Sequence, residues 1–520
     1  MTRHYFRWTG LALGLAMAAT LPAMAQFGGA PQTYAYETAA TDPPPVKTHH
    51  SITVDGKTLG YTAEIGKIPV PDASGKTMAH MFYVAYILDN NDASHPRPVT
   101  FSYNGGPGSD SVYVHMGGFG PRRVVLKDNG NNPPPPYSIV DNADTWLDAS
   151  DLVFIDAVGT GYSRATSAKN LKDASSAQGD LECFAQFVRL WLYDNNRINS
   201  PVVLAGESYG TFRSAGLSNV LWQHHIPVSG VVLLSSVLNM DTLRSSYSND
   251  RGYWLALPTQ TAIAWHFHKL APKYQKMTLP EVSKAAEQWA QTKYEHYLDL
   301  GDKLQGAQRT QALQEMSDLT GLSTQFLDSW NLRISTGLFD SSLLRGQRET
   351  IGRYDGTQVG TSRTPGQTRP DYDASDLLGV PYLHEFVNYM KNELNYKTTL
   401  EYGDGGMGGA GIMRWNYNIS SGRFGGFGAS GADVSQDLER AFAQDPSMRL
   451  MLCEGYFDQA TPMLEATYSM RHLFITPAEQ SHIEITHYDS GHMIYAHKDS
   501  REKLHRDFDA FIKSLPGVAQ

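Results

Sequence analysis

The sequence predicts an α/β fold, with a mostly parallel β-sheet flanked by helices and interrupted by a helical insertion. Three observations predict it. Continuous apolar, β-branched runs (Val99–Tyr103, Asp151–Asp156, Val202–Ala205, Val231–Leu234) alternate with helix-length segments, the pattern of parallel strands covered on both faces. The alternation stops near Asp241 and resumes at Arg449, and residues 242–400 between them read as mostly helical. One strand runs directly into a glycine-flanked serine and then a helix, at Val202–Gly210.

Taken in order, the chain opens with a basic start (Arg3, His4, Arg7), an apolar run from Leu11 to Leu21 and the small-residue site Ala23-Met24-Ala25. This predicts a signal peptide over residues 1–25. The run is too short for a membrane anchor, which needs about 20 apolar residues. Residues 26–50, which include Pro43-Pro44-Pro45, read as a flexible leader. The first part of the core spans 51–241. Ser51–Val54 and Met81–Leu88, with turn residues Asp55-Gly56 and Ser74-Gly75, predict antiparallel strands at a sheet edge. Leu181, Phe184, Phe187, Val188, Trp191 and Leu192 share one helix face, and a second helix is expected from near Ser208 to about His225. Residues 242–431 are expected to form a helical lid, with helices over Val282–Leu298 and Leu322–Leu338, ending in a Gly-rich loop. The second part of the core, 432–520, supplies a strand at Arg449–Leu452, a helix at Pro462–Leu473, a strand at Ile483–Thr486 and a helix at Arg501–Leu515.

Composition bounds the function. The 520 residues are 41% hydrophobic and 18% charged, which fits an ordinary globular chain and not a disordered one. The formal net charge of -10 argues against non-specific nucleic-acid binding. No later stretch is long and apolar enough to predict a membrane span. Two cysteines, Cys183 and Cys453, do not make a disulfide scaffold, and their spacing fits a single pair or two buried thiols equally. Gly403–Gly408 spells G-x-G-x-x-G but runs on into more glycine, not a helix. His384-Glu385 is followed by Asn388 where a zinc motif needs His. Neither a metal nor a cofactor is expected.

The chemistry centres on Gly206-Glu207-Ser208-Tyr209-Gly210, a G-x-S-x-G pentapeptide between a strand and a helix. That setting is the nucleophile elbow of an α/β-hydrolase fold, in which Ser, acid and His follow in that order. The bland alternative is an ordinary turn with Ser208 as a helix cap. A serine hydroxyl needs a base, and the base needs an orienting carboxylate. Asp458 and His492 follow the last two predicted strands and fill those roles. Asp489 is the rival acid, three residues before the histidine; His482, His487 and His497 read as surface or supporting groups. The oxyanion of a tetrahedral intermediate needs backbone N–H donors. Tyr209, just after the nucleophile, offers one, and the loop Asn104-Gly105-Gly106-Pro107-Gly108 after an earlier strand offers the second.

These blocks, with Gly455-Tyr456-Phe457-Asp458, Gly491-His492-Met493 and Phe154–Ser163, together resemble the signature blocks of the serine carboxypeptidase family. The resemblance covers roughly residues 80–240 and 445–500. It implies hydrolysis of C-terminal residues from peptides and proteins, with Gly106 and Tyr209 as oxyanion donors and Asn104 and Glu207 receiving the substrate's terminal carboxylate. Two departures stand out. Ser109 replaces a cysteine common in the family, and residues 115–120, His-Met-Gly-Gly-Phe-Gly, lack the second Glu that pairs with the one before the nucleophile. Arg122 or Arg123 is a nearby alternative source of charge. An esterase or acyltransferase would share this machinery, and a non-catalytic binding protein could share the scaffold.

Overall fold

The computed structural model describes residues 35–38, 42–89, 96–403, 415–417 and 432–518. The expected signal peptide, most of the leader and nearly all of the Gly-rich loop lie outside them.

The central sheet is ordered β1-β2-β3-β5-β4-β6-β7-β8-β9: β1 Val46–Val54, β2 Lys57–Pro71, β3 Thr77–Leu88, β4 Val99–Tyr103, β5 Asp151–Ile155, β6 Val202–Glu207, β7 Gly230–Leu234, β8 Arg449–Gly455 and β9 Ile483–Tyr488. The first three strands pair antiparallel, as does β3 with β5; every pairing from β5 onward is parallel. Alternate residues of the central strands therefore feed two cores. Phe101, Tyr103, Val153, Ile155 and Leu204 pack on one face, and Leu152, Phe154, Val203 and Ala205 on the other.

Helices α1 (Ala177–Asp194) and α2 (Tyr209–Gln223) cover the first of these faces. The insertion carries α3 (Arg251–His266), α4 (Leu279–Trp289), α5 (Gly306–Thr320) and α6 (Gly379–Asn392), and α7 (Met463–Arg471) and α8 (Lys498–Ser514) follow in the second half. The predicted helix Leu322–Leu338 is in fact two, Thr324–Ser329 and Thr336–Ser342. Ser323 and Ser335 each cap one, and Asn331 and Leu332 between them take left-handed backbone angles that no helix allows. A third apolar core forms within the insertion, and it includes Tyr456, Phe457, Met463 and Leu464 from beyond β8. Both cysteines are buried and free. No helix among the described residues is long and apolar enough to cross a membrane.

Candidate active site

Ser208 sits between the C-terminal end of β6 and the start of α2, partly exposed, with φ 60° and ψ -128°. Such a backbone costs an L-residue on the order of 1–3 kcal/mol and persists only where its surroundings impose it. The Ser208 side chain caps no amide of α2, so the helix-cap alternative fails. The glycines are steric necessities: a Cβ on Gly206 would lie 2.0 Å from the Gly210 carbonyl oxygen, and one on Gly210 would lie 2.9 Å from that of Tyr103.

The loops after β8 and β9 bring the candidate acid and base together. His492 Nδ1 lies 2.7 Å from Asp458 Oδ2. The same oxygen accepts from Thr461 Oγ1 at 2.7 Å, and Oδ1 accepts the amides of Ala460 and Thr461 at 2.8 and 3.0 Å. Asp458 is therefore fully satisfied, and Asp489 makes no bond to the imidazole. Glu454 and Glu465 are also buried near Asp458; burial first, then that aspartate's charge, pushes both carboxyls well above their ordinary range. Burial alone would lower His492, but the charge and hydrogen bond of Asp458, joined by the charge of Glu207, outweigh it and hold the imidazole above its ordinary value. Among the described residues no hydrogen bond closes between Ser208 Oγ and His492. Such contacts commonly tighten only once substrate is bound.

The Asn104–Gly108 loop lies directly against the elbow. A Cβ on Gly105 would be 2.4 Å from the Tyr209 nitrogen, and Gly106 has φ +97°, a backbone that glycine adopts freely. Tyr209 opens α2, where the first amides have no partner within the helix. Asn104 is held three ways: its Oδ1 accepts the Val114 amide at 3.0 Å, its backbone carbonyl accepts from Arg213 at 2.8 Å, and its Nδ2 donates to Glu207 Oε1 at 2.7 Å. Arg213 is itself fixed by a buried pair with Asp180 at 2.7 Å. Burial pushes the Glu207 carboxyl up to about 7, against the pull of His492, Tyr495 and Asn104. Arg122 does not supply charge here, because it is engaged by Asp141 and Glu393.

The insertion contributes to the site without a local motif in its sequence. The segment Gly352–Gln358 is bonded to the loops that carry Asp458 and His492. The Tyr354 carbonyl accepts the His492 amide at 2.6 Å, the Arg353 carbonyl accepts that of Gln459 at 3.0 Å, and the Gly356 amide donates to the Phe457 carbonyl at 2.9 Å. His497, read from sequence as a supporting group, pairs with Asp355 at 2.7 Å. From the sheet side, Ser235 Oγ donates to the His492 carbonyl at 2.7 Å. Only Thr461 carried a sequence signal, through its place three residues after Asp458.

A strained serine above a parallel sheet, a buried imidazole–carboxylate pair and an apposed glycine loop define the serine-hydrolase class of α/β-hydrolase fold. Comparison with known proteins narrows this. A family model described as serine carboxypeptidase matches residues 59–316. Over these residues, just under half of its length, the chain is similar to the serine carboxypeptidase family. The match spans Asn104 and Ser208 and ends before Asp458 and His492. Two Arabidopsis thaliana proteins are similar over shorter stretches. Serine carboxypeptidase-like 44 is 28% identical over 30% of each chain, and putative serine carboxypeptidase-like 23 is 26% identical over 22% of this chain and 23% of its own. The chain thus spans less than a third of the length of these relatives. The structure of Kex1(delta)p, a prohormone-processing carboxypeptidase from Saccharomyces cerevisiae, superposes with a TM-score of 0.51 at 14% identity, covering 86% of this chain and 91% of that one. That likeness supports the fold.

Proposed function

We propose that this protein is a serine carboxypeptidase that removes C-terminal residues from peptides and proteins. The observation that carries the reading is Glu207: a buried carboxyl beside the elbow, bonded by Asn104 and pushed up to about 7. Protonated, it donates a hydrogen bond to a terminal carboxylate; ionised, it repels one.

The geometry supports the following mechanism. Ser208 Oγ attacks the scissile carbonyl carbon, and its proton passes to His492 Nε2. Asp458 holds the other ring nitrogen as the N–H tautomer. The amides of Gly106 and Tyr209 receive the oxyanion. As the intermediate collapses the C–N bond breaks, and His492 returns the proton to the leaving amine. A water then attacks the acyl ester with His492 again as base, which restores the Ser208 hydroxyl. No step calls on a cofactor. In this reading the helical insertion serves as a lid, and its described part is bonded to the loops of Asp458 and His492 through residues 353–356.

The test compares a blocked dipeptide with its C-terminal amide across pH 4–8. The free acid should be preferred. Its kcat/KM should fall above about pH 7, tenfold per pH unit well beyond it, as Glu207 ionises. The amide should lack that limb. On the acid side both should fall together as His492 gains its proton, with a limb above the ordinary histidine value. Because the two groups interact, the apparent values belong to the pair. Equal cleavage of acid and amide at every pH would leave a serine hydrolase without C-terminal specificity.

The basic start, the apolar run and Ala23-Met24-Ala25 support export to the periplasm or the exterior. The exported protein should begin at Gln26, which N-terminal sequencing checks; an intact Met1 on the mature form would contradict export by cleavage.

A further inference from the structure

A group of buried polar atoms beside Glu207 has no role in the steps above. Tyr495 lies three residues after His492, in the turn Ile494–Ala496, and is fully buried. Its hydroxyl lies close enough to Asn104 and Glu207 to interact with both, yet completes a well-formed hydrogen bond to neither. Glu207 Oε2 is likewise without a partner, its Oε1 being taken by Asn104. The Tyr382 hydroxyl, brought in by α6 of the insertion, is also buried and unpartnered. Buried polar atoms are overwhelmingly satisfied in folded proteins, so several unsatisfied ones at one place point to a missing polar occupant.

The place is specific. A Cβ on Gly117 would sit 2.3 Å from Tyr495 Cε2 and 3.3 Å from the Tyr382 hydroxyl; one on Gly118 would sit 2.6 Å from Tyr495 Cβ. Both phenols thus close on the stretch 115–120, where the resemblance would have put a second glutamate and this chain has Gly117-Gly118. The glycines clear the room that the Tyr495 ring fills.

We propose that Tyr495 is a specificity-determining residue whose phenol donates a hydrogen bond to the substrate's terminal carboxylate, taking the place of a second carboxyl, with Tyr382 closing the same pocket. This rests on the carboxypeptidase reading. The donors then fit a carboxylate: the second N–H of Asn104, the proton on Glu207 Oε2 and the Tyr495 hydroxyl give three for its two oxygens. Burial, then the charge of Glu207, holds the Tyr495 phenol protonated far beyond any working pH. It stays a donor while Glu207 titrates.

The test measures kcat/KM for the blocked dipeptide and its amide with the unaltered protein, Tyr495→Phe and Tyr382→Phe. Tyr495→Phe removes one oxygen. It should lower kcat/KM for the free acid by roughly ten- to a hundredfold, mostly through KM, and leave the amide within about twofold, as expected for a lost hydrogen bond to a charged group. Tyr382→Phe should show the same acid-only loss at smaller size, which keeps the test decisive if Tyr495→Phe fails to fold. Equal losses on acid and amide would assign the tyrosines to shaping the His492 loop and overturn the proposal. Unchanged kinetics would overturn it too, leaving the pocket to water. If the unaltered protein shows no preference for the free acid, the carboxypeptidase reading itself falls, and that result is recognised without either variant.

Discussion

Ser208→Ala should abolish turnover, with kcat falling by roughly a millionfold, the scale on which removal of a triad nucleophile acts. The loss should fall on kcat and leave KM little changed, because Asn104, Glu207 and the Gly106 loop remain in place. The variant should not lose stability. Ser208 makes no side-chain cap, and its left-handed backbone is imposed by the packed glycines around it. Labelling by a fluorophosphonate should be stoichiometric on the unaltered protein and absent from the variant. Turnover within a hundredfold of the original would place the nucleophile elsewhere.

Asp458→Asn should be nearly as damaging, lowering kcat by about ten-thousandfold, or about 5 kcal/mol of barrier. The reason lies in the donor count. The two oxygens of Asp458 accept from two backbone amides, from Thr461 Oγ1 and from His492 Nδ1. An asparagine can keep its carbonyl on the amides, but its NH2 then faces two groups that also donate. His492 must turn its lone pair to the amide and carry its proton on Nε2, toward Ser208, where a base is needed. Raising the pH should not rescue this variant, since the fault is the tautomer and not the charge. Activity within tenfold of the original would return Asp489 to consideration.

Much of this site was legible in the sequence because the chemistry demands particular residues at strand ends. The elbow announced itself through two glycines that no other residue can replace sterically, and the order serine, acid, histidine followed from three strands of a parallel sheet. The sheet edge was read correctly in kind, but β2 was not singled out, because Gly60, Gly66, Pro69 and Pro71 interrupt its strand pattern. The single helix expected over 322–338 failed where two capping serines, spaced twelve residues apart, divide the apolar run. What the sequence could not show was contact between distant segments. Tyr354 bonds the His492 amide and Asp355 bonds His497 from within the insertion, Tyr382 reaches Gly117 from α6, and Arg213 holds Asn104 from the elbow helix. None carries a local motif. The absence of a second glutamate was visible as Gly117-Gly118, but that a tyrosine ring fills the space appears only in three dimensions.

The most direct test of the account follows a short N-blocked peptide by mass spectrometry during incubation with the protein near pH 6.5, beside Ser208→Ala. Single residues should be lost from the C-terminus, one after another, with the unaltered protein only. A single internal cut, or an untouched peptide from a preparation that a fluorophosphonate labels fully, would contradict it.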